Sequence, residues 1–279
     1  SSVVLGVFSF TLPHTPPPSA GQPINMRGLL MLDAFKMLTK PSFFVFMLCS
    51  TLICIPLGYY YSNTSGFLAD MGFQQPVSAM SVGQMSEIFF MLLVPFFFRK
   101  LGVKWMIFIG MLAWVARDLL FAYGAPDQVV WMLFAGIALH GICYDFFFVT
   151  GFMYADAAAP KAIRGQVQSM LVFFTQGVGM FIGFKFAAYK LAPVVDLSKE
   201  LTAAIGAARG EQAFTYAQQL ANMFAVDMPA GVDATLLSKT SELWKAYWLL
   251  PAGMAGAIAI LFFLAFRDKS VEPGESGEN

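Results

Sequence analysis

The sequence predicts an all-α integral membrane protein with six transmembrane helices. Three observations carry this: 58% of the 279 residues are hydrophobic, only 12% are charged, and the mean hydropathy is +0.65, which no ordinary soluble domain shows. A hydrocarbon core of about 30 Å takes roughly 20 residues of helix at 1.5 Å each. Six apolar stretches reach that length, at about 43–62, 78–98, 104–123, 129–152, 166–189 and 244–266, the first to sixth spans. Formal net charge is zero, so bulk attraction to nucleic acid is excluded and the information lies in where Lys and Arg sit.

Residues 1–12 are apolar but too short to cross alone, lack an initiator Met and a basic leader, and run into "PHTPPP". They are expected to be the remnant of a preceding transmembrane helix. Residues 13–41 form a Pro-rich linker followed by "INMRGLLMLDAFKMLTK", where Leu29, Leu30, Leu32, Phe35 and Leu38 suit an amphipathic helix on the cytoplasmic surface. Residues 42–190 hold helices one to five. Residues 191–243 make a long outward loop whose stretch "EQAFTYAQQLANMF" has helical propensity, expected as a small extracytoplasmic cap. The sixth helix occupies 244–268, and 269–279 are a cytoplasmic tail.

The connections alternate in charge. Arg27, Lys36 and Lys40 precede the first span, Arg99, Lys100 and Lys104 follow the second, Lys161 and Arg164 follow the fourth, and Arg267 and Lys269 follow the sixth, whereas 63–77 and 124–128 carry no Lys or Arg. The positive-inside bias then places the basic connections and the C-terminus in the cytoplasm. Trp105, Trp131 and Trp244 sit near span ends, as an interfacial belt requires.

Inside the spans, polar residues stand out. In "MSVGQMSEIFFMLLVPFFFRK", Glu87 lies twelve residues before Arg99, roughly 18 Å along a helix and near mid-bilayer. A carboxylate facing lipid there costs at least a few kcal/mol, so Glu87 is expected to face protein or water, with Gln84 beside it on one helical face. The fourth span repeats the anomaly in "LHGICYDFFFVTGF", with His140 near the centre, Tyr144 one turn below it and Asp145 nearby. Intramembrane acids mark pathways or proton relays by default; a lone membrane His also serves as a bridge between helices. In "PLGYYYSNTSGF" successive tyrosines point about 100° apart, so one or two look into the bundle, where they could stack on a planar ligand.

Arg117 and Asp118, in the outer third of the third span, are expected to snorkel or pair locally, and Lys185 to reach the interface along its stem. Gly179 and Gly183 read as a close-packing face or a bend. Cys49, Cys54 and Cys143 lie in apolar runs and act as small hydrophobes. The two histidines, His14 and His140, form no metalloprotease motif, and no nucleophile elbow or metal-spaced Cys pair occurs. Neither an enzyme nor a cofactor is expected.

Six spans between cytoplasmic ends, after a helix remnant and a linker, resemble the C-terminal half of a major facilitator transporter, whose site lies at the interface of two such halves. More specifically, "MSVGQMSEIFFMLLVPFFFRKLGVKWMIFIGMLAWVARDLLFAYG", "GICYDFF" and "PKAIRGQVQSM" resemble the bacterial nucleoside:proton symporter family, over most of residues 26–190 and the sixth span. The resemblance implies that Gln84, Glu87 and Asp145 serve the nucleoside site and proton coupling. Glu87 and Asp145 are then the proton-coupling pair, and Tyr144 is the aromatic before the motif's Asp. His140 takes a position that family members can fill with Tyr. Tyr60 and Tyr61 are the nearest counterparts of polar residues on the family's seventh helix. It implies a multi-pass protein of a bacterial inner membrane whose partners are a nucleoside, protons, the bilayer and a missing N-terminal half, without which the chain is expected not to transport. Two other readings stay open at this point: a proton-coupled sugar or polyol transporter, and a non-transporting scaffold or receptor whose working part is the 191–243 loop.

Overall fold

The computed structural model describes residues 2–13, 26–210 and 214–267. Five helices are long and apolar enough to cross a membrane: Pro41–Asp70, Pro76–Gly124, Val130–Ala158, Lys161–Arg209 and Ala234–Ala265. They supply six crossings, because Pro76–Gly124 breaks at Gly102, whose φ of 67° belongs to the left-handed region open to glycine. The contacts of the fourth span, Val130–Ala158, establish the reversal. Gly83 lies against His140, Phe90 and Phe97 against Phe146, Gly110 against Phe147, and Phe121 against Gly136. The partner thus advances from 140 to 146 along the second span and returns to 136 along the third.

The bundle therefore has two ends. At one, Ser42 Oγ donates to the Arg267 carbonyl, Tyr154 packs on Phe43 and Phe266, and Trp105 on Phe263. Lys40, Arg99, Lys100, Lys104, Lys161, Arg164 and Arg267 gather at this basic end. At the opposite end Phe67, Phe121, Trp244 and Trp248 share one core. Between the ends the first and fifth spans touch backbone to backbone: a Cβ on Gly58 would meet the Gly183 carbonyl carbon at 2.8 Å. This makes Gly179 and Gly183 a packing face, while the chain just before it winds as a π-helix over Phe173–Gly179.

The structure departs from the sequence expectation in three places. First, 191–243 is not a loop leaving the bilayer at residue 190: the fifth helix continues through Pro193 to Arg209, and the sixth starts at Ala234, capped by the Asp233 carboxylate on the Thr235 amide. Val194, Leu201 and Ile205 keep a buried stripe on that extension, so amphipathic packing prolongs a helix whose hydropathy has already fallen. Within the expected cap, Tyr216–Ala221 is helical, with Thr215 and Gln218 forming a capping box.

Second, the linker is not one amphipathic helix. It divides into Met26–Leu29 and a 3-10 turn at Ala34–Thr39, with Met31 at a positive φ of 55° between them. Ala34 and Met37 are buried while Leu29, Leu30, Leu32 and Phe35 stay exposed. Asp33 accepts from Lys36 at 3.1 Å and Arg27 at 3.3 Å, and the Lys36 hydrogen bond above all holds its carboxyl below the usual range. Third, Trp105 and Trp131 are exposed as a belt requires, but Trp244 is buried. Its indole N–H donates to Asp70 Oδ2 at 2.8 Å while Thr202 donates to Oδ1 at 2.9 Å, so a buried acid joins the first, fifth and sixth helices. Residues 14–25, the Pro-rich part of the linker, and the tail 269–279 lie outside the described residues.

Candidate functional site

Two glycines bring the second and fourth spans together at mid-helix. A Cβ on Gly141 would stand 2.5 Å from the Ser86 carbonyl carbon and 2.7 Å from the Glu87 nitrogen, and one on Gly83 would stand 3.2 Å from the His140 Cβ. At Gly141 only a hydrogen permits that approach, and at Gly83 a side chain would crowd His140. Ser86 Oγ locks it by accepting from the Gly141 amide at 2.9 Å. The result is that Glu87 Oε1 lies 2.9 Å from His140 Nε2.

The contact at the other imidazole nitrogen was not foreseen. Arg117 Nη1 lies 3.2 Å from His140 Nδ1, its guanidinium sits 4.0 Å from the centre of the Tyr60 ring, and Nε is 3.5 Å from Asp118 Oδ1. Arg117 and Asp118 are fully buried, so neither snorkels. Local pairing was the correct half of that expectation, though the pair is part of the polar centre. The signal was present: Trp114, Arg117, Asp118 and Phe121 follow i, i+3, i+4, i+7, and all four are inaccessible.

Aromatic rings complete the wall. Tyr60 stacks on His140 with centroids 5.0 Å apart and planes 17° apart; Tyr61 meets the same ring edge-on at 6.0 Å and Tyr144 at 5.8 Å. Tyr60 is buried, Tyr61 is 44% exposed, and Tyr59 turns away toward Phe186 and Tyr247. Asp145 sits on a π-helical stretch, Ile142–Val149. Such i→i+5 stretches are frequent at functional sites. Asp145 is fully buried, both carboxylate oxygens lack a hydrogen-bond partner among the described residues, and Glu87 is near enough for the two charges to interact.

Of the seven residues expected at a site, Glu87, Tyr60, Tyr61 and Tyr144 surround the imidazole of a fifth, His140, and Asp145 is within electrostatic reach of Glu87. Gln84 lies one turn from Glu87, away from the imidazole. It is exposed, on a stripe continued by Met91 and Pro95. A cavity of about 300 Å³ lies elsewhere, at the opposite end, among Gln74, Gln75, Thr202, Arg209 and Phe214.

The sequence profile of the family described as "Nucleoside H+ symporter" matches residues 1–199. The chain belongs to the nucleoside H+ symporter family. Among relatives of this nucleoside H+ symporter family chain, YegT, a candidate nucleoside transporter of Escherichia coli (strain K12), is 34% identical over 98% of the chain and 56% of its own length. The xanthosine permease of the same organism is 25% identical over 96% of the chain and 56% of its own length. The nucleoside permease NupG, also from that organism, is 30% identical over 65% of the chain and 46% of its own length. The chain thus spans about half the length of these relatives. A crystal structure of an aspartate-to-alanine mutant of the nucleoside transporter NupG superimposes with a TM-score of 0.64 at 24% identity, covering 95% of this chain and 58% of that one, and shows the fold. A second NupG crystal structure gives 0.58 at 25% identity, over 96% and 58%. The helix arrangement is that of a major facilitator transporter, in a multi-pass membrane protein.

The glycine contact gives a direct test. Gly141→Ala forces the Ser86–Glu87 backbone away and opens the 2.9 Å contact between Glu87 and His140. Uptake by the complete protein is expected to fall at least about tenfold, on the loss of one charge-assisted hydrogen bond, with Gly66→Ala, where nothing lies within 4 Å, as the unaffected control.

Proposed function

We propose that the chain is the C-terminal half of a secondary transporter that imports nucleosides with protons across a bacterial inner membrane, its basic end in the cytoplasm. One observation carries this reading: three carboxyls lie inside the spans with one guanidinium, Asp118 beside Arg117, Glu87 on the His140 ring that Arg117 also contacts, and Asp145 with neither oxygen hydrogen-bonded among the described residues. Were all of them ionised, the centre would hold two uncompensated negative charges in a medium that tolerates none cheaply. A site of this composition takes up protons readily, and their number changes with what else occupies it.

The division of labour follows accessibility. Glu87, at 24% exposed, is the acid that reaches both His140 and an open face, and there it grips ribose hydroxyls with the amide of Gln84. Tyr60 is covered by His140 and Arg117 and supports the wall, while Tyr61 and Tyr144 offer ring surface to a base. Asp145, with no hydrogen-bond partner among the described residues, exchanges the proton with Glu87. The stripe of Gln84, Met91 and Pro95 is open in this chain and is where the opposing half of the transporter closes over the substrate. No reacting group is assigned, because the work is binding and rocking rather than catalysis.

The test is uptake of labelled uridine by the complete protein in cells lacking their own nucleoside carriers. Uptake is expected to saturate, to rise as external pH falls, to collapse with a protonophore, and to be competed by excess unlabelled nucleoside but not by glucose. Uptake indifferent to pH, or equal competition by glucose, would overturn the reading.

A further inference from the structure

We infer that Arg117 is a positioning residue for proton coupling: it fixes His140 as a neutral ring whose single proton lies on Nε2 and points at Glu87. The inference rests on the proton-coupled reading above. A guanidinium has five donors and no acceptor, so at the 3.2 Å contact between Arg117 Nη1 and His140 Nδ1 the ring nitrogen accepts. An accepting Nδ1 bears no proton. The ring proton is then on Nε2, 2.9 Å from Glu87 Oε1, to which Nε2–H donates. Adding a second ring proton would aim an N–H at the guanidinium's own N–H, which this geometry does not admit. His140 is therefore a fixed donor rather than a carrier, and Glu87 Oε2 is left for the travelling proton and the substrate.

The surrounding groups hold this arrangement rigid. Arg117 lies over the Tyr60 ring and beside Asp118, and Tyr60 lies flat against His140. The titratable and charged groups facing His140 are Arg117 from the third span, Glu87 from the second, Tyr60 and Tyr61 from the first and Tyr144 from its own helix. Glu87 faces Asp145 as well, and Arg117 faces Asp118 and Cys143. Of these, only Arg117 touches Nδ1, so only its removal frees that nitrogen to take a proton.

Two pairs of variants of the complete protein test this, each checked for folding by monodisperse elution in detergent. Glutamine keeps an acceptor and a donor on one planar group. Hence His140→Gln is expected to hold uptake within about tenfold of wild type, and His140→Leu to fall a further tenfold or more. Arg117→Met is expected to add to the uptake–pH profile an inflection that wild type lacks, and Arg117→Met/His140→Gln to remove it. A profile for Arg117→Met that superimposes on wild type after scaling would overturn the inference. If Arg117→Met does not fold, the His140 pair decides, and His140→Gln no more active than His140→Leu overturns it. Wild-type protein without pH-driven uptake would instead remove the proposed function itself, so the two failures are distinct.

Discussion

Glu87→Gln is expected to leave nucleoside binding and exchange in place while abolishing uphill accumulation. The glutamine amide oxygen still accepts from His140 Nε2–H at the position of Oε1, so the contact between the second and fourth spans survives, and the amide still offers hydrogen bonds to a ribose. What it cannot do is bind a proton. One elementary charge moved through 100 mV is worth about 2.3 kcal/mol, equivalent to roughly 50-fold accumulation at tenfold per 1.4 kcal/mol. In the variant that factor is lost and the internal concentration rises only to the external one. Counterflow in vesicles preloaded with nucleoside separates the two outcomes. Persistent counterflow with no accumulation supports Glu87 as a coupling acid. Full accumulation by the variant excludes it, and loss of counterflow as well makes Glu87 a binding residue first.

Much of this was legible in the sequence because hydrocarbon penalises charge so strongly. Length and hydropathy located all six crossings, and the misplaced acids Glu87 and Asp145 marked the polar centre without any structural help. Hydropathy measures the bilayer, however, and not the helix. The fifth span outlasts its apolar stretch to Arg209 because Val194, Leu201 and Ile205 still have a core to bury against. Trp244 looked like a belt residue by position, yet the same continuation supplies Thr202 and a wall around Asp70, and the indole turns inward.

The polar centre was harder to read, for a different reason. Pairings between spans depend on which faces meet, and Gly83 and Gly141 decide that through contacts of backbone with backbone. Arg117 was judged against lipid, where a long stem snorkels, when the relevant comparison was the inaccessible stripe it shares with Trp114, Asp118 and Phe121. The π-helical winding around Asp145 has no strong mark in "GICYDFFFV". Gln84 was grouped with Glu87 by a spacing of three, and the helix resolves that spacing into an accessible amide and a half-sheltered acid.

Asp145→Leu is expected to yield a more stable protein that transports poorly. The native carboxyl is wholly buried, and neither oxygen has a hydrogen-bond partner among the described residues. A buried polar group left unsatisfied costs about 1–3 kcal/mol, and leucine replaces it with a side chain of similar size that the site already suits. Melting followed by fluorescence in detergent should therefore shift upward by a few degrees, while uptake falls by about tenfold or more, the pattern of a residue kept for function at the expense of stability. Asp145→Asn, neutral but still polar, should fall between wild type and leucine in stability and share the loss of uptake. A structural acid behaves in the opposite way, since a residue that anchors the fold lowers the melting temperature when removed. A destabilised Asp145→Leu protein with undiminished uptake would therefore take Asp145 out of proton exchange and leave Glu87 to carry coupling alone.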